Sequence, residues 1–302
     1  MALRKPLKVH VGLTIPTHQG DLRVGDVLGE GSFGRVFRGS LNNKKVAIKA
    51  FKGSARLAKG QASNEYANLK IVSKIAGINT PKPIDYLPDY AVIVMELVEG
   101  TLLTTFWSSS LTDLLPFLQS ILQQLAVLSG AGYVHRDIKP ANLMVSPSGK
   151  VVFLDWGLLA KVNEGDADLQ YSTPFRSPHA FCAPADGRDD IFAALLSFLH
   201  LLGIDEMLSF ASGNDEEQFA IWMSSISAEH RQKLLERGVT NTFHSVLGKD
   251  WNVVVNAVES KLPTTMTQKV KTCVRDAFHA TLELPSAEEV LKQLQPAFAS
   301  TI

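Results

Sequence analysis

The sequence predicts an α+β fold in two parts, a small β-rich lobe with one helix and a larger α-helical lobe. Three observations carry this. From Asp21 to about Met95, short β-branched runs alternate with turns, and only Ala55–Ile75 has helical spacing. After Gly100 the texture turns helical, most clearly at Leu111–Ala131, Asp189–Leu202, Thr267–Ala280 and Ala287–Leu294. The chain has 302 residues, 45% apolar and 20% charged, which is room for about two domains at ~150 residues each and too apolar for a disordered chain. The expected division is an N-terminal extension over 1–20, a first lobe over 21–98 and a second over 99–302, joined near Leu97–Gly100.

In chain order, Leu22, Val24, Val27 and Leu28 lead into a Gly-rich stretch, and Val36-Phe37 follow it. Asn42-Asn43 reads as a turn and Lys45–Phe51 as a strand. Leu57, Ala58, Ala62, Glu65, Leu69 and Val72 mark the first helix. Pro81, Pro83 and Pro88 punctuate a return to strand at Ala91–Met95. Leu111–Ala131 ends in Gly130 and Gly132, a C-cap signal, and Pro116 fits about its first turn, where a missing N–H costs least. Leu143–Val145 and Val151–Leu154 read as strands around the turn Ser146-Pro147-Ser148-Gly149. Ile204–Pro263 is helical in tone, without legible boundaries.

Composition removes several classes. Lys+Arg and Asp+Glu are both 30, so the global basic footprint of a nucleic-acid binder is missing. Cys182 and Cys273 are isolated, which argues against a disulfide scaffold or a Cys-rich zinc site and for a reducing compartment such as the cytoplasm. Met1–Gly20 carries Arg4, Lys5 and Lys8 but no apolar signal core. The most apolar run, Ile191–Leu202, falls short of the ~20 residues a transmembrane helix needs. No oligomeric state follows from the sequence.

Three stretches carry chemistry. Gly29-Glu30-Gly31-Ser32-Phe33-Gly34-Arg35-Val36 lets backbone approach phosphates, and the strand-like residues after it favour a β-hairpin lid over a helix N-terminus. Lys49 ends the apolar run Val46-Ala47-Ile48. It is either a solvated strand end or an ammonium in a cleft, and Glu65, on the helix that follows, is a candidate partner. The decisive stretch is His135-Arg136-Asp137-Ile138-Lys139-Pro140-Ala141-Asn142, followed by Asp155-Trp156-Gly157. Phosphoryl transfer needs positioning and charge neutralisation more than covalent help. Asp137 can orient a hydroxyl and accept its proton, Lys139 can steady the phosphoryl group, and Asn142 and Asp155 are hard oxygen ligands suited to Mg²⁺.

In this order, these motifs resemble the signature set of the eukaryotic-type protein kinases. The resemblance runs from about Asp21 to Leu294 and is strongest up to Gly157. It implies a two-lobed kinase fold using ATP and Mg²⁺ in the cleft, with a protein Ser/Thr hydroxyl as acceptor. Lys139 is similar to the Ser/Thr-specific branch. Gly29, Glu30, Gly31, Ser32, Phe33 and Gly34 would cover the phosphates. Val36, Ala47 and Met144 would sandwich adenine, Met95 would be the gatekeeper, and Glu96 and Val98 would offer hinge backbone. Lys49, Glu65, Asp137, Lys139 and Thr173 would form the catalytic set, with Asn142 and Asp155 on the metal.

The chain also departs from the family pattern. Trp156 stands where the family usually has Phe. Thr173–His179 resembles the end of an activation segment with His179 in place of Glu, and Leu284 stands where an Arg partner is usual. Asp190 resembles the family's Asp that opens a helix and ties to the catalytic-loop backbone, with Asp189 as its rival, and the alternative for either is a helix N-cap. Arg136 suggests ordering by negative charge, from Asp166 or Asp168 or from phosphorylated Ser172 or Thr173. The competing readings are a kinase-fold enzyme acting on a small molecule and a non-catalytic pseudokinase. Retention of Lys49, Asp137 and Asp155 weighs against the second.

Overall fold

The computed structural model describes residues 5–31, 33–107, 109–164, 175, 186–203 and 286–299. They divide into two compact units. Unit one takes the described residues up to Gly100, with Ser146–Ser148 and Val152–Gly157. Unit two takes those of Thr101–Val145, Gly149–Val151 and from Leu158 onward. The first is a sheet with one helix and the second is mainly helical, the α+β combination that the sequence predicts.

Unit one is an antiparallel sheet of six strands: β1 (Thr14–Thr17), β2 (Gly20–Glu30), β3 (Gly34–Leu41), β4 (Lys44–Phe51), β5 (Pro83–Leu87) and β6 (Val92–Glu96), in the order β1-β2-β3-β4-β6-β5. β1 comes from the segment read as an extension and pairs with the start of β2, Thr14 opposite Arg23 and Thr17 opposite Gly20. Asn42 and Asn43, at φ of 51° and 60°, link β3 to β4. Two left-handed residues match the strand twist, and Asn tolerates that region well.

Leu22, Val24, Phe37, Val46, Ile48, Val92 and Val94 form one buried cluster. On the other face, Phe51, Ala91 and Ile93 pack against Ala58 and Ala62 of α1 (Ala55–Val72). β4 is therefore covered on both sides, and Val46, Ala47, Ile48 and Lys49 are all buried. The Ser54 side chain accepts a hydrogen bond from the Leu57 amide to start α1. α1 stops at Val72, short of the expected Ile75.

Unit two contains α2 (Leu111–Gly130), α3 (Gly187–Leu201) and α4 (Ala287–Ala299), with α2 packed against both others. The short strands β7 (Thr101–Leu102) and β9 (Leu143–Val145) pair antiparallel, as do β8 (Tyr133–Val134) and β11 (Ala160–Lys161). β10 (Val151–Phe153) straddles the division between the units. Pro116 lies in the second turn of α2, not the first, so the Thr112 carbonyl forgoes its helical partner. α3 starts earlier than expected because Asp186 caps it, with a capping box closed by Asp189. Ser286 and Glu289 close a second box at α4. Thr267–Ala280 and 204–263 lie outside the described residues. Among those described, no helix is long and apolar enough to cross a membrane.

Candidate active site

In unit one, Lys49 on β4, Glu65 on the inner face of α1 and Asp155 form a buried ionic cluster. Lys49 Nζ donates to Glu65 Oε1 and Oε2 at 2.6 Å each and to Asp155 Oδ2 at 2.8 Å. Burial pulls the ammonium pKa down, but the charges of Asp155 and Glu65 outweigh it and raise Lys49 above the usual lysine range. Asp155 Oδ1 accepts the Gly157 amide at 3.0 Å, and its side chain is part-exposed.

Two residues that sequence reasoning missed hold this segment. Asn64 Nδ2 donates to the Gly157 carbonyl at 2.9 Å, and Asn68 Nδ2 to the Trp156 carbonyl at 2.8 Å. They flank Glu65 on α1. Asn68 lies in the buried face of α1, where propensity disfavours an Asn, whereas Asn64 is exposed and gave no such signal. Trp156 is buried, stacks on Phe153 with ring centroids 5.9 Å apart, and donates its indole N–H to Thr80 Oγ1 at 2.7 Å. Because that N–H has an acceptor, the larger ring is accommodated where the family usually has Phe.

The Gly-rich stretch forms the β2–β3 hairpin, with Gly29 opposite Val36 and Glu30 opposite Arg35. Arg35 Nε lies 2.9 Å from Glu30 Oε2 and holds the Glu30 carboxyl below its ordinary range. The three glycines have different reasons. A Cβ on Gly34 would meet the Ala50 carbonyl oxygen at 2.1 Å, so β4 packing forbids a side chain there. A Cβ on Gly29 or Gly31 would meet nothing within 4 Å, and neither has a positive φ. The fold itself does not ask for glycine at those two positions. Gly34→Ala is therefore expected to lower stability by several kcal/mol, in the range of backbone overpacking, while Gly31→Ala leaves the melting temperature unchanged. Thermal denaturation of both variants checks this, and equal melting temperatures would contradict the assignment.

The strand register puts four predicted nucleotide residues on one sheet face: Val36 pairs with Lys49, Ala47 lies two residues before Lys49, and Met95 pairs with Ala47. Glu96 is fixed by the Lys82 backbone, whose N–H donates to its carboxylate at 3.2 Å and whose carbonyl accepts the Glu96 N–H at 2.9 Å. Val98 is half-buried just past β6 and Phe33 is 44% exposed. Ser32 lies outside the described residues.

In unit two, Asp137 is 5% exposed. Lys139 Nζ lies 3.0 Å from both of its carboxylate oxygens, and Asn142 Nδ2 donates to Asp137 Oδ2 at 2.7 Å and to its carbonyl at 2.9 Å. The amide nitrogen of Asn142 is thus spent on Asp137, and its Oδ1 is the end left for a hard cation. Met144 on β9 is half-buried opposite Leu102. Mg²⁺ uses few protein oxygens and keeps phosphates and waters for the rest. Asn142, in unit two, and Asp155, in unit one, each carry oxygen donors of that hard type.

Asp190, not Asp189, ties the catalytic loop. Its Oδ2 accepts the His135 amide at 2.6 Å and its Oδ1 the Arg136 amide at 2.8 Å. These bonds hold Arg136 at a φ of 66°, a strained value for a non-glycine residue. Arg136 Nε also donates to the Leu158 carbonyl at 2.6 Å. Burial pushes the Asp190 pKa up to about 7, against the two amide hydrogen bonds. An unfolded Asp titrates near ~3.9, so between about pH 4 and 7 the folded chain keeps a proton that the unfolded chain has released. Through this group, stability falls as pH rises across that window. Asp190→Ala strands one buried and one part-buried amide, at roughly 1–3 kcal/mol for the buried one, and removes that slope. Urea denaturation at several pH values reads both effects, and a variant as stable as the parent would refute the anchor. Thr173, His179 and Leu284 lie outside the described residues, as do Asp166, Asp168 and Ser172.

The protein kinase domain family matches residues 22–256. The chain is similar to the serine/threonine-protein kinase pkn2 of Myxococcus xanthus, 31% identical over 193 residues that cover 58% of this chain and 23% of that protein. It is similar to cyclin-dependent kinase D-1 of Arabidopsis thaliana, 28% identical over 193 residues, 59% and 48% of the two chains. It is also similar to the non-receptor tyrosine-protein kinase TNK1 of Mus musculus, 26% identical over 220 residues, 68% and 33% of the two. The matches thus span between about a quarter and a half of these relatives. With the family's domain matched over well over half its length, the chain belongs to the protein kinase family.

Proposed function

We propose that this chain is an ATP- and Mg²⁺-dependent serine/threonine protein kinase. The carrying observation is the Asp137 carboxylate, buried and fixed by Lys139 and Asn142. An acceptor hydroxyl hydrogen-bonded to Asp137 attacks the γ-phosphorus of ATP. The new O–P bond forms as the bond to the β-phosphate oxygen breaks, ADP leaves, and the hydroxyl proton passes to Asp137. Lys139 balances charge on the phosphoryl group in flight. Lys49, oriented by Glu65, contacts the ATP phosphates, and Gly29 and Gly31 keep space open for them. Val36, Ala47, Met95 and Met144 line adenine, while the Glu96 and Val98 backbone hydrogen-bonds it. Asn142 and Asp155 would hold Mg²⁺, which supplies charge neutralisation on the phosphates.

Ser/Thr selectivity is proposed from Lys139 within His-Arg-Asp-Ile-Lys-Pro, and Thr173 is proposed as the hydroxyl that contacts Asp137 and Lys139. A reducing compartment is proposed from the two isolated cysteines. The test is incubation with labelled ATP, Mg²⁺ and generic protein substrates, with Asp137→Asn as control. Label on serine and threonine, lost in the control, is the expected result. Label only on tyrosine overturns the selectivity, and no label on any protein overturns the activity.

A further inference from the structure

Among its described residues, unit two exposes three large apolar side chains: Leu102 at 37%, Trp107 at 55% and Val127 at 37%. Two of them lie on one short stretch, at the end of β7 and just after the 3₁₀ turn Leu103–Phe106. That stretch is firmly anchored. Leu103 is buried, Phe106 meets Phe117 of α2 edge-on with ring centroids 5.0 Å apart, and Thr105 Oγ1 donates to the Leu102 carbonyl at 2.8 Å. The Ser109 amide donates to the Phe106 carbonyl at 3.1 Å. The indole of Trp107 is therefore held half in water by a fixed backbone.

The stretch adjoins the loop that carries Asp137. β7 and Leu103–Phe106 both pack against the turn Pro140–Asn142, which follows Lys139 directly and includes the Asn142 that bonds Asp137. Leu102 also pairs with Met144 of β9. These neighbouring segments hold no charge: none lies between Glu99 and Asp113, and none between Lys139 and Lys150. The acids at the margins are engaged, Glu99 with Lys45 at 3.0 Å and Asp113 with the Ser110 hydroxyl at 2.6 Å. Ala141, exposed on the same turn, adds only a methyl group. Such a surface would desolvate a charged side chain without pairing it, which is costly. It rewards an apolar one, because a ring already fixed in place gives up little entropy when it is covered.

We propose that Leu102 and Trp107 form a subsite for an apolar side chain of the protein substrate, near the hydroxyl that Asp137 receives. The kinase then selects acceptors flanked by leucine, methionine or phenylalanine over those flanked by lysine or glutamate. The proposal rests on the protein kinase reading and names the substrate class of that site. Leu102 and Trp107 decide which peptide binds and take no part in the transfer itself.

The test uses alanine-rich peptides with one central serine, in which each flanking position in turn is leucine, lysine, glutamate or alanine. They are phosphorylated by the full chain with ATP and Mg²⁺. At one flanking position or more, leucine is expected to exceed lysine and glutamate in kcat/KM by about tenfold, the discrimination that apolar pocket contacts give. Trp107→Ala and Leu102→Ala are each expected to cut the leucine-over-alanine ratio several-fold through KM. Leu102→Glu is expected to turn the preference at that position towards lysine, which loss of packing alone would not do. A parent chain that prefers lysine or glutamate, or is indifferent, overturns the proposal, and so does a leucine preference that survives in both alanine variants. If no peptide is phosphorylated, the activity reading falls and binding decides the subsite. The same peptides, fluorescein-labelled and with alanine in place of the serine, are followed by anisotropy. The subsite stands if the leucine peptide binds more tightly than the lysine peptide and loses that advantage in Trp107→Ala, and it falls if the two bind alike.

Discussion

Lys49→Met is expected to cost both activity and stability, and a second substitution is expected to separate the two. Glu65 is buried and its carboxylate bonds the ammonium through both oxygens. Removing the cation takes away the ammonium that both Glu65 and Asp155 bond. Breaking a buried pair in this way costs roughly 3–5 kcal/mol. Neutral pH lies below the raised Lys49 pKa, so the ammonium is charged there. Turnover should fall by about a hundredfold to a thousandfold, as when one group that stabilises transition-state charge is removed. Adding Glu65→Gln to Lys49→Met removes one of the stranded charges and should restore much of the stability but none of the activity. Urea denaturation and kcat/KM for both variants make the comparison. A double variant that is no more stable than Lys49→Met would mean that the pair does not account for the loss.

Asp137→Asn is expected to lower kcat by about 10²–10⁴, the range for loss of a positioned acid–base group, and to leave the KM for ATP within a few-fold. The interaction lost is one that tightens only as the acceptor proton moves, so kcat and kcat/KM should fall together. The variant should keep its fold, because Asn at this position still accepts from Lys139 and Asn142. A tenfold loss of ATP affinity with kcat spared would assign Asp137 to nucleotide binding instead.

What the sequence revealed and what it hid have one physical cause. The pairing of Lys49 with Glu65 was legible because it depends on residue type and local spacing. The Asn42-Asn43 turn and the buried stripe of α1 were legible because they are local too. Asn64, Asn68 and Thr80 were not, because each acts on a segment far along the chain, Trp156 or Gly157, whose arrival only the fold decides. Asp190, which the sequence favoured over its rival Asp189, is separated from it by one step of helix rotation. That step sends one carboxylate back to the Asp186 amide and the other to the catalytic-loop backbone. β1 was missed because it is four residues long with Pro16 inside it, a combination that reads as irregular chain until β2 supplies a partner.

Trp156 gives the chain its own optical reporter. The indole is next in sequence to Asp155, is shielded from water, and has its N–H committed to Thr80. Indole emission shifts to the blue in an apolar setting and to the red when water reaches the ring. With Trp107, Trp222 and Trp251 changed to Phe, the remaining fluorescence comes from a ring one peptide bond away from a proposed metal ligand. Titration with Mg²⁺ and nucleotide would then follow the rearrangement of that segment directly, without an attached dye and without a turnover assay.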